Sequence, residues 1–207
     1  MTATGNLFVV AAPSGAGKTS LTRALLEREP AIRLSVSYTT RPPRPGETDG
    51  VDYHFVTAER FSALKGAGEF LEHAHVHGNW YATSGTWLKA EVDEGRDVLL
   101  EIDWQGAAQV RHLVPASVQV FVLPPSLETL RERLTRRAQD DARTIERRLA
   151  AAREEMKHCG EFDYVIINQQ FATAVDDLLA IVRAARLRGP QQRTRHRALF
   201  EHLTSDK

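Results

Sequence analysis

The residues Ala12-Pro13-Ser14-Gly15-Ala16-Gly17-Lys18-Thr19 have the types and spacing to hold a polyphosphate. They follow the apolar run Leu7–Ala11 and precede a helical pattern that begins near Lys18. A strand, a Gly-rich loop and a helix opening on Lys-Thr is the layout of a P-loop. Backbone N–H groups of such a loop point inward, and the helix N-terminus adds positive partial charge. Lys18 then reaches the terminal phosphates, and the Thr19 hydroxyl holds Mg²⁺. Ala12 stands where the pattern has its first Gly, which matters only if that position needs φ > 0. The competing reading is a plain strand-to-helix turn, but such a turn needs no Lys-Thr pair.

Further sets carry complementary chemistry. Asp103 closes the strand Asp97–Asp103, which has the apolar-run-then-Asp form of a Walker-B site, and can position Mg²⁺ directly or through water beside Thr19. Its ordinary alternative is a turn residue or a helix cap. Arg41 and Arg44 flank Pro42-Pro43 on a stiff loop. Two guanidiniums held this way suit a second phosphate, with Tyr53 and Tyr81 as hydroxyl donors. Arg131, Arg133, Arg136, Arg137, Arg143, Arg147 and Arg148 fall on two helical patterns, some of them on solvated faces. Arginines that move onto a transferring phosphoryl group stabilise its equatorial charge, and Asp140-Asp141 would form the tip of such a flap.

The elements that must position these groups are readable in outline. Leu7–Ala11 is a buried strand, and the helix after the loop carries Leu21, Leu25 and Leu26 before Pro30 ends it. Residues 35–84 change character: Ser35–Thr40, Val51–Val56 and Phe70–Val76 alternate like strands. The run Arg41–Gly46 is irregular, and Thr57 caps a short helix with Phe61 and Leu64. An α/β rhythm resumes with a helix over Trp87–Glu94 and strands over 97–103, 118–123 and 164–167. Helices are predicted from Ser126, from about Thr144 and over Ala172–Arg186. This rhythm predicts an α/β/α three-layer core with a parallel sheet, an inserted mixed α+β lobe and a helical lid. The expected divisions are core at 1–34, 85–125 and 161–190, lobe at 35–84, lid and flanking helices at 126–160, and a tail at 191–207.

Composition bounds the class. The 207 residues suffice for one sizeable core with inserted lobes. Lys+Arg and Asp+Glu balance at 27 each, which argues against a nucleic-acid or membrane partner. Cys159 is the single cysteine, so no internal disulfide is possible and a cytoplasmic setting is expected. No apolar run approaches membrane-spanning length, and Met1–Asn6 lacks the marks of a signal peptide. His73, His75 and His77 alternate, so a strand would carry them on one face and turn Glu72, Ala74 and Val76 toward the cleft. Imidazoles on an exposed strand face need no metal, and none is assigned to them.

The stretches Ser-Val-Ser-Tyr-Thr-Thr-Arg-Pro-Pro-Arg-Pro-Gly-Glu (35–47), Gly-Val-Asp-Tyr-His-Phe (50–55) and Glu-Phe-Leu-Glu (69–72) extend the P-loop signal. With Gly-Asn-Trp-Tyr-Ala-Thr (78–83) and Leu-Glu-Ile-Asp-Trp-Gln-Gly (100–106), the chain resembles the bacterial guanylate kinases over roughly Leu7 to Arg186. The resemblance implies Mg²⁺-dependent transfer from ATP to GMP, with dGMP as a further acceptor. It implies ATP contacts at Pro13, Ser14, Gly15, Ala16, Gly17, Lys18, Thr19, Ser20 and Asn168. The GMP phosphate would fall to Ser37, Arg41, Arg44, Tyr53 and Tyr81, and guanine to Glu72, Thr83 and Glu101, with Asp103 completing that site. Thr83 and Glu101 stand where other members can have Ser and Asp. Lys18, Arg41, Arg133, Arg137 and Arg148 are implied in the transfer itself, and Gln169-Gln170 replaces acidic residues frequent after the Asn168 position. Two other classes share these motifs. One is a peptide-binding module that keeps the fold and loses nucleotide chemistry, which the intact loop, Asp103 and the arginines oppose. The other is a kinase with a different acceptor.

Overall fold

A computed structural model describes residues 5–76, 78–136 and 142–205. In chain order it contains β1 (Leu7–Ala11), α1 (Lys18–Arg28), β2 (Arg33–Leu34), β3 (Tyr38–Thr39), β4 (His54–Phe55), α2 (Ala58–Gly66), β5 (Phe70–Val76) and β6 (Asn79–Ser84). There follow α3 (Gly85–Asp93), β7 (Val98–Glu101), α4 (Trp104–Leu113), β8 (Val118–Leu123), α5 (Leu127–Arg136) and α6 (Ala142–Met156). After a 3-10 turn at Lys157–Glu161 come β9 (Tyr164–Ile167), α7 (Phe171–Arg186), α8 (Gly189–Arg195) and α9 (Arg197–Thr204).

The larger sheet has the order β2-β7-β1-β8-β9 and is parallel throughout. Strand β1 is buried along its whole length because helices cover both faces, which is why it reads as an unbroken apolar run. Its alternate residues serve two cores. Phe8 and Val10 pack with Leu21, Leu25, Leu178 and Val182 of α1 and α7, whereas Leu7 and Val9 pack with Leu88 and Val110 of α3 and α4. A third cluster, Leu130, Leu134, Ile145, Leu149 and Ala152, joins α5 to α6.

Between β2 and β7 the chain builds a second sheet, β4-β3-β6-β5, in which β6 pairs antiparallel with both neighbours. Its strands β3 and β4 are two residues each, shorter than the alternation at Ser35–Thr40 and Val51–Val56 predicts. Thr57 caps α2 by accepting the Arg60 N–H, as expected, and Ser84 caps α3 in the same way from Trp87. Strand β7 stops at Glu101, so Asp103 lies beyond the sheet and caps α4. The sequence reading assigns no helix at α4, whereas the basic run Arg193–Arg197, read as a solvated helix, falls across the end of α8 and the start of α9. Among the described residues, no helix is long and apolar enough to cross a membrane.

Candidate active site

The register Val10↔Glu101 and Ala11↔Phe121 brings the carboxyl ends of β1, β7 and β8 together, where ligands of parallel α/β sheets bind. The loop from Ala12 to Gly17 leaves β1 at that edge. Gly17 takes φ +100°, and a Cβ there would come within 2.5 Å of the Asn168 Nδ2, so only glycine fits both the conformation and the space. Asn168 donates from Nδ2 to the Ala16 carbonyl at 2.8 Å. Arg133 donates to the Ala16 carbonyl at 3.2 Å and to the Asn168 carbonyl at 3.0 Å. Arg148 reaches over from α6 and donates to the Ser14 hydroxyl at 2.7 Å. Arg133 and Asn168 thus brace the loop's backbone, whereas Arg148 stands at its rim. Arg137, together with Asp140, Asp141 and His77, lies outside the described residues.

A cleft of about 240 Å³ opens beside the loop. Pro13, Ser14, Gly15, Gly17, Lys18, Thr19 and Ser20 line one side, and Ser37, Tyr53, Glu72 and Tyr81 line the other, with Glu101 and Asp103 between them. Lys18 Nζ donates to the Ile102 carbonyl at 2.9 Å, which holds the ammonium at the strand end. A second cavity of about 770 Å³ continues from Thr19, Ser37, Tyr53 and Glu101 to Arg44 and Glu47. Arg44 of the paired-arginine loop and Lys18 therefore line adjoining cavities that share Thr19, Ser37, Tyr53 and Glu101.

The two acids at the end of β7 and the start of α4 are in different surroundings. Glu101, expected at the nucleobase, accepts instead from the Thr19 hydroxyl and from the Thr22 hydroxyl at 2.8 Å. Asp103, expected both beside Thr19 and in the GMP site, accepts the Gly106 N–H through Oδ1 at 2.8 Å, the helix-cap geometry. Its Oδ2 is buried without a hydrogen-bond partner in the structure. Side chains alternate along an extended segment, so residues 101 and 103 share a side but differ in depth, and the chain's turn into α4 swings Asp103 toward β5.

There it faces Glu72. A Cβ on Gly106 would come within 2.5 Å of Glu72 Oε2, so the helix start can approach the carboxylate only as glycine. Glu72 is 2% exposed and accepts from the Thr83 hydroxyl at 2.7 Å. Burial pushes its carboxyl up to about 7, with the nearby Asp103 charge adding to the rise and the Thr83 hydrogen bond opposing it. Thr83, expected to touch the base, is fully buried and orients Glu72 from behind. Ala74 and Val76 line the cleft with Glu72, while His73 and His75 lie on the other face near the Trp80 ring. No group of three or more His, Cys, Asp or Glu side chains that could hold a metal ion occurs among the described residues.

Of the phosphate contacts expected in the lobe, Ser37, Tyr53 and Tyr81 reach the cleft and Arg44 the adjoining cavity. Burial raises the Tyr53 phenol to about 12, so its hydroxyl stays a donor. Arg41 sits behind them, its guanidinium 5.3 Å from the centre of the Tyr53 ring and bonded to Glu47. Two carboxylates had no role in the sequence reading. One is Glu47, which the arginine-loop motif contains but does not explain. The other is Glu155 of α6, which accepts the Ser14 N–H at 3.3 Å and lines the cleft. Burial raises its carboxyl, and nothing in the spacing of α6 points it at a loop 141 residues away in sequence.

A parallel sheet with a phosphate-binding loop at its carboxyl edge, facing a small arginine-bearing lobe across one cleft, defines a P-loop kinase fold. A family model described as Guanylate kinase matches residues 4–185. The guanylate kinase of Dechloromonas aromatica (strain RCB) is 61% identical over 199 residues, 96% of this chain and 98% of that protein. That of Aromatoleum aromaticum (strain DSM 19018 / LMG 30748 / EbN1) is 59% identical over 202 residues, covering 98% and 99%. The crystal structure of guanylate kinase from Anaplasma phagocytophilum superposes with a TM-score of 0.82 at 34% identity, covering 100% of this chain and 99% of that one. The chain belongs to the guanylate kinase family.

Proposed function

We propose that the family's reaction, ATP + GMP ⇌ ADP + GDP, is carried out in the cleft between the Gly15–Thr19 loop and the lobe, with dGMP as a second acceptor. The observation that carries this is the single space shared by Lys18 and Thr19 with Ser37, Tyr53, Tyr81 and Glu72. Two anion cradles that open into one space can align an acceptor phosphate oxygen with the terminal phosphorus of a triphosphate. The attacking oxygen is already anionic, so no general base is needed, and none is assigned. Lys18 neutralises charge on the triphosphate, and Arg148, at the loop's rim, is placed to meet charge on the transferring group. Arg133 and Asn168 act by fixing the loop.

The donor set at the mouth of α1, the Thr19 hydroxyl and the Glu101 carboxylate, is all oxygen and fits Mg²⁺. Bound there, Mg²⁺ would neutralise charge on the triphosphate. Asp103 and Glu72 recognise the base. A buried carboxylate oxygen without a donor, beside another carboxylate whose ionisation is opposed by burial, is a site that demands N–H groups. Guanine offers N1–H and N2–H₂ side by side. Adenine has no such pair and would leave both acids poorly satisfied, which supports discrimination of about 10⁴-fold. The 2′-carbon is not addressed by this pair, so ribose and deoxyribose are both accepted. The cytoplasm, where ATP and GMP are available, is the compartment we assign.

The test is ADP release with GMP, dGMP, AMP, CMP and UMP as acceptors. We expect turnover with GMP and dGMP alone. Equal turnover with AMP would refute the base reading, and no turnover with any acceptor would refute the enzyme reading.

A further inference from the structure

We infer that Glu47 is a positioning residue for the acceptor's phosphate: it grips one edge of the Arg41 guanidinium so that the other edge is presented to the phosphate. The inference rests on the reading that Arg41 and Arg44 hold that phosphate. Arg41 donates from Nη1 to Glu47 Oε2 and from Nη2 to Glu47 Oε1, both at 2.9 Å, a fork-to-fork pair. Nη1 also donates to the Pro42 carbonyl at 2.8 Å. A guanidinium has five N–H donors in one plane. Glu47 and Pro42 take both protons of Nη1 and one of Nη2. The donors they leave, Nε–H and the second Nη2–H, lie along a single edge and form another fork of the width a phosphate accepts. Tyr81, itself at the cleft, interacts with the same guanidinium.

Glu47 also organises the rest of the loop. Its Oε2 accepts the Arg44 N–H at 2.7 Å, and its own N–H donates to the Arg44 carbonyl at 3.0 Å. One carboxylate therefore sets the fork of Arg41 and the backbone from which Arg44 projects into the adjoining cavity. The Tyr53 and Phe55 rings, with centres 5.3 and 5.7 Å from the guanidinium carbon, pack on the Arg41 group and restrict it further. The pair is largely withdrawn from water, at 11% and 18% side-chain exposure, so it is not a screened surface contact. The hydrogen bonds from Arg41 hold the Glu47 carboxyl below the usual carboxylate range, which keeps the fork charged near neutral pH. Glu47 also has an opposing effect, since its charge repels a phosphate dianion. The balance favours positioning because an ungripped Arg41 would have to give up the rotamer freedom of a long side chain on binding.

Glu47→Gln tests this, since the amide loses the charge and turns a donor toward Arg41. We expect KM for GMP to rise about tenfold and KM for ATP to stay within about twofold. Guanosine, which has the base and no phosphate, should bind the variant with unchanged affinity in calorimetry. A KM for GMP that is unchanged or lower would overturn the inference, the latter by making Glu47 a competitor of the phosphate. A parallel loss of guanosine binding would also overturn it, by making Glu47 a general scaffold of the lobe. Arg41→Ala separates the two levels: an unaltered KM for GMP in that variant would bring down the phosphate-site reading beneath the inference.

Discussion

The two anion cradles are built on opposite plans. The donor cradle is backbone, drawn from consecutive residues between a fully buried strand and a helix, and braced from behind by Asn168 and Arg133. The proposed acceptor cradle is side chains, collected from β6, the proline-rich loop and the residues just before β3 and β4, strands of two residues each. Backbone N–H groups survive every substitution except proline and read any polyphosphate alike. Side chains set on a small lobe can be re-aimed, and they need carboxylates such as Glu47 and Glu72 to hold or complement them. Preorganisation in one cradle comes from the fold, and in the other from hydrogen bonds between side chains.

The largest effect should come from the donor side. Lys18→Ala is expected to lower kcat by about 10³-fold with an unchanged circular dichroism spectrum, because the ammonium's hydrogen bond to the Ile102 carbonyl is only partly buried. A kcat close to wild type would break the distinction between the cradles at its strongest point.

Next is the division of labour between Glu101 and Asp103. Asp103→Asn should cut the preference for GMP over AMP by about 10²-fold and leave the Mg²⁺ dependence unchanged. Glu101→Gln should do the reverse, raising the Mg²⁺ concentration needed for half-maximal rate. The opposite pattern would restore the roles that the sequence alone suggests.

A smaller, graded effect follows from Glu72. Burial pushes its carboxyl up to about 7, whereas the guanine reading requires the ionised form as acceptor. The binding-competent carboxylate is therefore scarce below that pH and dominant above it. Guanosine affinity should rise about tenfold per pH unit below 7 and level off above it, and Glu72→Gln should abolish the slope. Guanosine is the probe because it has no phosphate to titrate. A slope of the opposite sign would exclude Glu72 as an ionised acceptor. The smallest effect should come from the outer face of the same strand: His73→Ala and His75→Ala should change KM for GMP by less than about twofold.

The same contrast decides what could be read before the structure. The donor loop is contiguous, so its spacing carries its geometry, and the alternation Phe8/Val10 against Leu7/Val9 gives the two-faced core. Strand β5 was legible too, since alternation alone turns Glu72, Ala74 and Val76 one way and His73 and His75 the other. The acceptor site was legible only through resemblance, because its residues meet across gaps in sequence. Even so, neither the resemblance, which put Glu101 and Asp103 together in the acceptor site, nor the Walker-B pattern, which put Asp103 beside Thr19, shows where β7 stops and α4 begins. Thr83, Arg133 and Asn168, expected at ligand, make hydrogen bonds to Glu72 and to the loop and strand-end carbonyls that a motif does not encode. Glu155 lay beyond any local signal, because a helix pattern says which face is apolar and not which distant loop its polar face meets.

The central claim is that both cradles open into one space and hold their phosphates end to end. A compound that joins adenosine to guanosine through a pentaphosphate bridge tests it most directly. Calorimetry should show one molecule bound per chain, excluding ATP and GMP together, with affinity lost on substitution in either cradle, at Lys18 or at Arg44. If GMP still binds beside the bridged compound, or if only the Lys18 substitution weakens it, the two cradles do not meet and the account is wrong.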